Sequence, residues 1–198
     1  MTKINYQKAE FILSAAQLKQ LPTDEGNEVA IVGRSNAGKS SVLNQLTQNK
    51  SLARTSKTPG RTQLINIFSI DGHRLTDLPG YGFAKVPEAV KQKWQVLLDD
   101  YLRTRESLQG LILVMDIRHP MKDFDRKFLI WCEQCDLPVH ILLNKSDKLS
   151  YNQQKSTLQD VADAVTPCPN GVTVQTFSAL KSKGIDELRS RLDEWLSN

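Results

Sequence analysis

Short apolar runs alternate with amphipathic segments along most of the chain. Three runs, Val29–Val32, Leu111–Met115 and Val139–Leu143, are almost wholly apolar, which is typical of strands buried on both faces of a sheet. Apolar residues at helical spacing predict helices over Glu88–Arg105, Lys122–Cys135, Tyr151–Val165 and Ile185–Leu196. This alternation predicts an α/β fold in three layers: a mostly parallel sheet of six or more strands with one antiparallel edge strand, and helices on both faces.

A hairpin and an N-terminal segment complete the predicted elements. Gln63–Ile70 alternates apolar and polar residues, Asp71-Gly72 is typical of a tight turn, and His73–Leu78 returns, so two antiparallel strands are expected here. Residues 1–26 are predicted to be a lead-in that packs on one domain formed by residues 27–198.

Composition places the chain among globular proteins without naming a partner. Hydrophobic residues make up 39% and charged residues 24%, and the formal net charge of +4 permits an acidic partner but does not demand one. No stretch approaches 18 uncharged apolar residues, and the start lacks the apolar core of a signal peptide. We therefore expect a cytoplasmic protein without membrane contact and, since no extended apolar stripe marks an obligate dimer, a monomer.

The three cysteines are Cys132, Cys135 and Cys168. Their odd number argues against a disulfide framework. Cys132 and Cys135 form a C-x-x-C pair without a second pair or a histidine cluster, so zinc binding and a redox role are alternatives to the favoured interpretation, buried thiols on a helix.

The strongest motif follows the first apolar run. Gly33 to Ser40 reads G-x-x-x-x-G-K-S and precedes a helical pattern, which is the strand, loop and helix context of a phosphate-binding loop. The glycines let successive backbone N–H groups point into one concavity, and the helix start adds free N–H groups. Lys39 is expected to reach the β- and γ-phosphates, and the Ser40 hydroxyl to bind Mg²⁺. The predicted phosphate-binding set is Gly33, Arg34, Ser35, Asn36, Ala37, Gly38, Lys39, Ser40 and Ser41.

A second group of residues is predicted to serve Mg²⁺ and the γ-phosphate. Asp77-Leu-Pro-Gly80 ends the return strand of the hairpin, where the Asp77 carboxylate can hold Mg²⁺ through water and the Gly80 N–H can contact the γ-phosphate. Thr62 is a candidate second protein ligand of Mg²⁺, against the simpler interpretation of a threonine entering an edge strand. The metal set is thus Ser40, Thr62 and Asp77. The wider ligand set here is Gly60, Arg61, Thr62, Gln63, Leu64, Asp77, Leu78, Pro79 and Gly80.

A third group has the chemistry to recognise guanine. Asn144-Lys-Ser-Asp147 follows a buried strand, and a carboxylate there accepts the paired N1–H and N2–H₂ donors that guanine has and adenine lacks. Asn144 can pin the loop, and the stem of Lys145 can cover one face of the base. The small residues after the last strand allow backbone N–H groups close to guanine O6. The predicted base set is Asn144, Lys145, Ser146, Asp147, Phe177, Ser178 and Ala179.

Taken in order, these motifs resemble the P-loop GTPase superfamily and, within it, the EngB family, also called YihA or YsxC. The resemblance is carried by Gly33–Ser40, Thr55–Gln63, Asp77–Gly82, Asp116-Ile-Arg-His-Pro120 and Asn144–Asp147, and extends from about residue 5 to the C-terminus. It implies a P-loop GTPase fold, with residues 27–198 as the GTPase domain. It also implies a bacterial GTPase needed for late assembly of the large ribosomal subunit, with rRNA contact, and for normal division and septation.

Hydrolysis by such a protein is expected to be slow. Water would attack the γ-phosphoryl group, with Lys39, Mg²⁺ and loop N–H groups neutralising charge. Ras-type enzymes place a glutamine directly after the D-x-x-G motif to orient that water, but here the position is Tyr81. Related GTPases with asparagine at the position of Asn36 coordinate K⁺ with it, which makes K⁺ a candidate cofactor; Arg61 acting in cis is a weaker alternative. The predicted catalytic set is Lys39, Thr62, Gly80 and Asn36.

Three functions are therefore in competition. The leading hypothesis is a GTP-hydrolysing switch whose segments 50–63 and 79–93 are ordered by the γ-phosphate and Mg²⁺. The second is a nucleotide-gated module that binds the ribosome or rRNA with negligible turnover, which Tyr81 keeps open. A P-loop ATPase or kinase is the third, and Asp147 argues against it.

Overall fold

The computed structural model describes residues 3–53, 64–81, 88–168 and 171–197, with the backbone alone of residues 88–91. Its strands are β1 (Glu10–Ala15), β2 (Glu28–Gly33), β3 (Ile65–Ile70), β4 (His73–Asp77), β5 (Leu108–Asp116), β6 (Val139–Asn144) and β7 (Thr173–Thr176). Its α-helices are α1 (Lys39–Thr47), α2 (Glu88–Thr104), α3 (Asp123–Gln134), α4 (Tyr151–Val165) and α5 (Ile185–Leu196). The helices predicted from periodicity are confirmed to within a residue at either end.

The strands form a single seven-stranded sheet in the order β1-β3-β4-β2-β5-β6-β7. From β4 to β7 every neighbouring pair is parallel, whereas β3 pairs antiparallel with both β4 and β1. This confirms the mostly parallel sheet with antiparallel pairing at one edge. The N-terminal strand β1 extends that edge, with a bulge between Phe11 and Leu13. The division of the chain at residue 27 stays a prediction.

Helices cover both faces of the sheet, because the central strands are apolar on both sides. Along β2, Ala30 and Val32 pack in one core with α2, α3 and α4, while Val29 and Ile31 pack in the other with α1 and α5. All six residues of β2 are buried. The continuous apolar runs of the sequence are thus explained by burial on both faces.

Parallel order brings five strand ends to one edge. The carboxyl ends of β2, β4, β5, β6 and β7 lie side by side, so the loops that follow them meet there. Ligands of open α/β sheets bind at this edge. Among the described residues, no helix is long and apolar enough to cross a membrane.

The opposite edge is fastened by a buried carboxylate. Glu28, at the start of β2, is fully buried and pairs with Arg74 of β4 at 3.1 Å and with Arg105, just beyond α2, at 2.9 Å. It also accepts hydrogen bonds from Thr76 and Tyr101. A buried charge needs this many partners, because desolvation is costly otherwise. The network joins β2, β4 and α2 at the edge away from the loops.

Candidate nucleotide-binding site

The loop between β2 and α1 forms the phosphate end of the site. Gly38 caps the start of α1 in the left-handed region, with φ +101°, and a Cβ there would lie 2.4 Å from Asn144 Nδ2. Only glycine satisfies both demands. Asn36 is also left-handed, with φ +66°, and Ala37 N–H donates to Arg34 O at 3.0 Å. The loop therefore turns tightly onto the first turn of α1, where backbone N–H groups are available to an anion.

The end of β4 brings Asp77 and Gly80 against this loop. A Cβ on Gly80 would lie 3.0 Å from Lys39 Nζ and 3.4 Å from Ser35 N. Lys39 and Gly80, which are both predicted to contact the γ-phosphate, are therefore neighbours. Asp77 pairs with Ile31 in the sheet, and burial raises the pKa of its carboxyl, although the charge of Lys39 and a hydrogen bond with Asn66 act in the other direction. The buried Asp77 Oδ1 has no hydrogen-bond partner among the described residues.

This lone carboxylate oxygen fits a magnesium ion. A buried, unpartnered oxygen costs free energy unless a cation or donor satisfies it. Ser40, in the first turn of α1, lines the same cleft as Asp77, and hard oxygen ligands of this kind suit Mg²⁺. Thr62, the other predicted ligand, lies outside the described residues.

Tyr81, which follows the D-x-x-G motif, is turned away from the cleft. Its backbone joins the phosphate loop, with Ser35 N–H donating to Tyr81 O at 2.9 Å and Tyr81 N–H donating to Gly33 O at 3.3 Å. Its side chain is buried, stacks on Phe124 with 4.3 Å between ring centroids, and donates to Asp125 Oδ1 at 2.5 Å. Burial and this carboxylate raise the pKa of the phenol. The hydroxyl therefore cannot orient a water in the cleft.

The loops after β6 and β7 form the base end. Asp147 accepts a hydrogen bond from Ser178 Oγ at 2.6 Å, which lowers the pKa of its carboxyl, and Lys148 lies 3.7 Å away. Ser146 N–H donates to Phe177 O at 3.0 Å, and Ser178 and Lys183 exchange two backbone hydrogen bonds. An ionised carboxylate is thus oriented before any base arrives.

Two side chains connect the base end with the phosphate loop. The buried amide of Asn144 donates to Ala37 O at 2.9 Å and accepts from Ala179 N–H at 3.3 Å. Lys145 Nζ donates to Asn36 O at 2.6 Å and to Asp116 Oδ2 at 2.9 Å. The two halves of the site are therefore held in register.

A buried polar chain supports the base loop from below. His140 of β6 contacts Thr173 Oγ1 and Gln175 Oε1 through its two ring nitrogens, at 2.7 and 2.8 Å. Burial lowers the pKa of His140 to about 4, so the ring is neutral at physiological pH. Gln175 in turn donates to Gly184 O at 2.8 Å, where the loop joins α5.

Most of the predicted site residues come together at this edge. The cleft is lined by Arg34, Ser35, Asn36, Gly38, Lys39, Ser40, Ser41, Leu64, Asp77, Leu78, Pro79, Gly80 and Lys145. The side chains of Leu78 and Phe177 are buried in the core, so these two can contribute through the backbone alone. The Ser146 hydroxyl is buried as well. Gly60, Arg61, Thr62 and Gln63 lie outside the described residues, and the ligand roles of the whole set stay predictions.

Sequence reasoning gave no role to Asp116, Asn66 or Asp125. Asp116 ends β5 beside Asn144, and its position at a strand end was an available signal, since the other site residues share it. Asn66 opposes Asp77 across the hairpin, which the register of the predicted turn implies. Asp125 contacts Tyr81 from α3, 44 residues further along the chain, and no local pattern could have shown this.

Comparison with known proteins agrees with this geometry. Residues 28–145 match the sequence family described as 50S ribosome-binding GTPase. A protein of Escherichia coli strain K12, "Probable GTP-binding protein EngB", is 56% identical over all 198 residues, which cover 94% of that protein. The chain belongs to the EngB family of GTP-binding proteins.

Solved structures show the same fold for this EngB family member. A crystal structure of a probable GTP-binding protein engB superposes with a TM-score of 0.70 at 24% identity, over 86% of this chain and 98% of that one. Era in complex with MgGDPNP and nucleotides 1506–1542 of 16S ribosomal RNA gives a TM-score of 0.66 at 22% identity, over 86% of this chain and 57% of that one. These structures confirm the predicted fold, while the sequence-family match and the 56% identical relative confirm the resemblance to the EngB family of GTPases.

Proposed function

We propose that this protein binds GTP with Mg²⁺ and hydrolyses it slowly to GDP and phosphate. In this proposal it acts in the cytoplasm as a switch in the assembly of the large ribosomal subunit, and the cell needs it for normal division and septation. The observation that carries the proposal is the convergence at one sheet edge of Lys39, Asp77 and Gly80 with the carboxylate of Asp147. Family membership supports guanine-nucleotide binding.

Guanine recognition rests on Asp147. Its hydrogen bond from Ser178 uses one lone pair of Oδ1 and orients the carboxylate, which has further lone pairs for the two parallel donors of guanine. Adenine would leave these acceptors without donors, and an unsatisfied carboxylate opposes binding strongly. Lys145, held between Asn36 O and Asp116, places its stem where a base would lie against it.

Hydrolysis would depend on charge neutralisation at the phosphate end. Lys39 and the N–H groups at the start of α1 would contact the phosphates, and the Gly80 backbone lies beside Lys39. Ser40 and Asp77, with Thr62 as a further candidate, would hold Mg²⁺, which would supply positive charge against the phosphates. Since the side chain of Tyr81 is buried, the protein lacks a water-orienting group at that position, and we infer a slow intrinsic rate.

The missing group could be a potassium ion. Asn36 lies within the phosphate loop, with left-handed backbone, and lines the cleft, which supports a role for its amide oxygen in holding K⁺. Turnover in K⁺ should then exceed turnover in Na⁺ at matched ionic strength, and equal rates would remove K⁺ from the proposal. Arg61, acting in cis, would then be the remaining candidate for the missing group.

Ribosome binding draws support from two sources. The matched family is described as 50S ribosome-binding, and the Era structure contains a segment of 16S ribosomal RNA. Lys50 and Lys93 are exposed basic residues on this chain and can neutralise RNA phosphates. Binding to 50S subunits should therefore weaken as salt rises, and salt-independent binding would contradict the electrostatic part.

Three measurements test the proposed function. Competition of GDP against ADP on the full chain should show strong guanine preference, and equal affinity would overturn it. Co-sedimentation with 50S subunits in GDP and in a non-hydrolysable GTP analogue should differ. Turnover measured with and without subunits separates the switch from a nucleotide-gated module, because the module would hydrolyse negligibly in both.

A further inference from the structure

Asp116 is the most heavily hydrogen-bonded carboxylate beside the site among the described residues. Its Oδ1 accepts from Arg118 N–H at 3.1 Å and Arg118 Nε at 2.9 Å, and its Oδ2 accepts from Arg118 Nη2 at 2.7 Å and Lys145 Nζ at 2.9 Å. The hydrogen bond from Arg118 N–H to the Asp116 side chain, together with one from His119 N–H to Asp116 O at 2.9 Å, forms a tight turn directly after β5. A bidentate guanidinium fixes both the position and the plane of a carboxylate.

This carboxylate acts on one other group, the Lys145 ammonium. Lys145 leaves the end of β6 in the left-handed region, with φ +65°, and its Cε lies 4.0 Å from the place of a Cβ on Gly38. The stem therefore runs along the phosphate loop to its two acceptors, Asn36 O and Asp116 Oδ2. Without Asp116 the ammonium would keep a single acceptor, and a lysine stem has many rotamers.

We propose that Asp116, clamped by Arg118, is a positioning residue that holds Lys145 in place for the guanine base before the nucleotide arrives. The inference rests on the proposed function, because Lys145 matters only if the base lies against it. Holding the stem in advance removes an ordering cost from binding, which is how preorganisation raises affinity. Hydrogen bonds from Arg118 and Lys145 keep the pKa of Asp116 below its ordinary value in spite of burial, so the charge persists at neutral pH.

A double-mutant cycle tests whether Asp116 acts through Lys145. GDP affinity in Mg²⁺ is measured by calorimetry on the full chain for the wild type, Asp116→Ala, Lys145→Ala and the double variant. Asp116→Ala should weaken GDP about tenfold alone and by less than about twofold in the Lys145→Ala background, a coupling of at least about fivefold, or about 1 kcal/mol. A merely structural role would weaken GDP equally in both backgrounds and would overturn the proposal, as would an effect of Asp116→Ala below twofold.

Two further variants keep the test decisive. Asp116→Asn retains the shape of the side chain while removing its charge, and it takes the place of Asp116→Ala in the cycle if that variant unfolds. Asp71→Ala is the matched control, because it breaks another lysine–carboxylate contact, with Lys8 at 3.0 Å, in the turn between β3 and β4. It should bind GDP within twofold of the wild type. If the wild type binds ADP and GDP with equal affinity, the proposed function fails. If it prefers GDP but Asp116 and Lys145 show no coupling, only the inference about Asp116 fails.

Discussion

The two ends of the candidate site each contain one aspartate, and the two carboxylates are prepared in opposite ways. Asp147 at the base end is oriented by Ser178 and has its pKa lowered, so it is charged and positioned from the outset. Asp77 at the phosphate end is buried, its Oδ1 has no partner in the part of the chain that the structure describes, and its pKa is raised by burial. The base end is therefore complete in itself, whereas the phosphate end needs a cation to be satisfied.

The difference separates recognition from response. A preorganised carboxylate can select a base without rearrangement, which suits a check that applies in every nucleotide state. A buried carboxylate with one oxygen unpartnered among the described residues would stabilise a bound cation, so its neighbourhood should respond to what the phosphate end contains. Gly80 and Tyr81 join Asp77 directly to that neighbourhood.

Loss of the phosphate-end ammonium should have the largest effect on binding. Lys39→Ala is expected to weaken GTP by about 1,000-fold, since charge-assisted hydrogen bonds to the β- and γ-phosphates are lost. GDP should weaken less, because it loses the β-phosphate contact alone. Calorimetric titration measures it, and Lys155→Ala, an exposed lysine on α4, is the control. The melting temperature without nucleotide should change little. A loss below tenfold would place the triphosphate elsewhere.

At the base end, Asp147→Asn should exchange one base for another. The amide presents a donor to the O2 of xanthine and repels the N2–H₂ of guanine, so we expect GDP to weaken about 100-fold while xanthosine diphosphate gains affinity. A competition assay with both nucleotides shows the exchange, and Asp160→Asn on α4 serves as control. Full retention of guanine preference would show that this carboxylate does not read the base.

Asp77→Asn should change the free energy of unfolding, because it removes the buried carboxylate whose Oδ1 has no partner among the described residues. The folded pKa of Asp77 lies above its ordinary value of 3.8, so its contribution to stability is present below that value and is lost as pH rises through the folded pKa. Without metal at pH 7, Asp77→Asn should therefore unfold with a free energy about 1–2 kcal/mol higher than the wild type.

Urea titrations at pH 4 and pH 7 in a chelator measure this difference, which should shrink at the lower pH. With Mg²⁺ and GTP the order should reverse, because the variant loses a ligand oxygen. A less stable variant in chelator at pH 7 would contradict the idea of a carboxylate awaiting a cation.

The smallest effect on nucleotide affinity is expected when Asp147 loses the hydrogen bond that orients its carboxylate. Ser178→Ala removes the hydroxyl that orients Asp147, and we expect GDP to weaken about fivefold, or about 1 kcal/mol. The pKa of Asp147 should move upward toward its ordinary value, which an NMR pH titration of its carboxyl carbon can follow. If affinity stays unchanged, the carboxylate is oriented without Ser178 and the contrast with Asp77 weakens.

The fold and most of the site could be predicted because they depend on local patterns. Continuous apolar runs mark strands buried on both faces, and Gly33 to Ser40 joins a strand to a helix through a loop whose turn needs glycine. What could not be predicted depends on contacts between distant elements. The orientation of Tyr81 is set by Asp125 and Phe124 of α3, and the hold on Lys145 by Asp116 of β5.

Asn144 has a consequence for attempts to reprogram this protein with unnatural nucleotides. Its amide touches Ala37 on one side and Ala179 on the other, and it fills the space that a side chain at residue 38 would need. Replacing Asn144 would therefore disturb the phosphate loop and the base end together, so a change in nucleotide affinity could not be assigned to either one. Asp147, whose carboxylate contacts Ser178 and Lys148 rather than the phosphate loop, is therefore the position we would change to build an orthogonal nucleotide–protein pair.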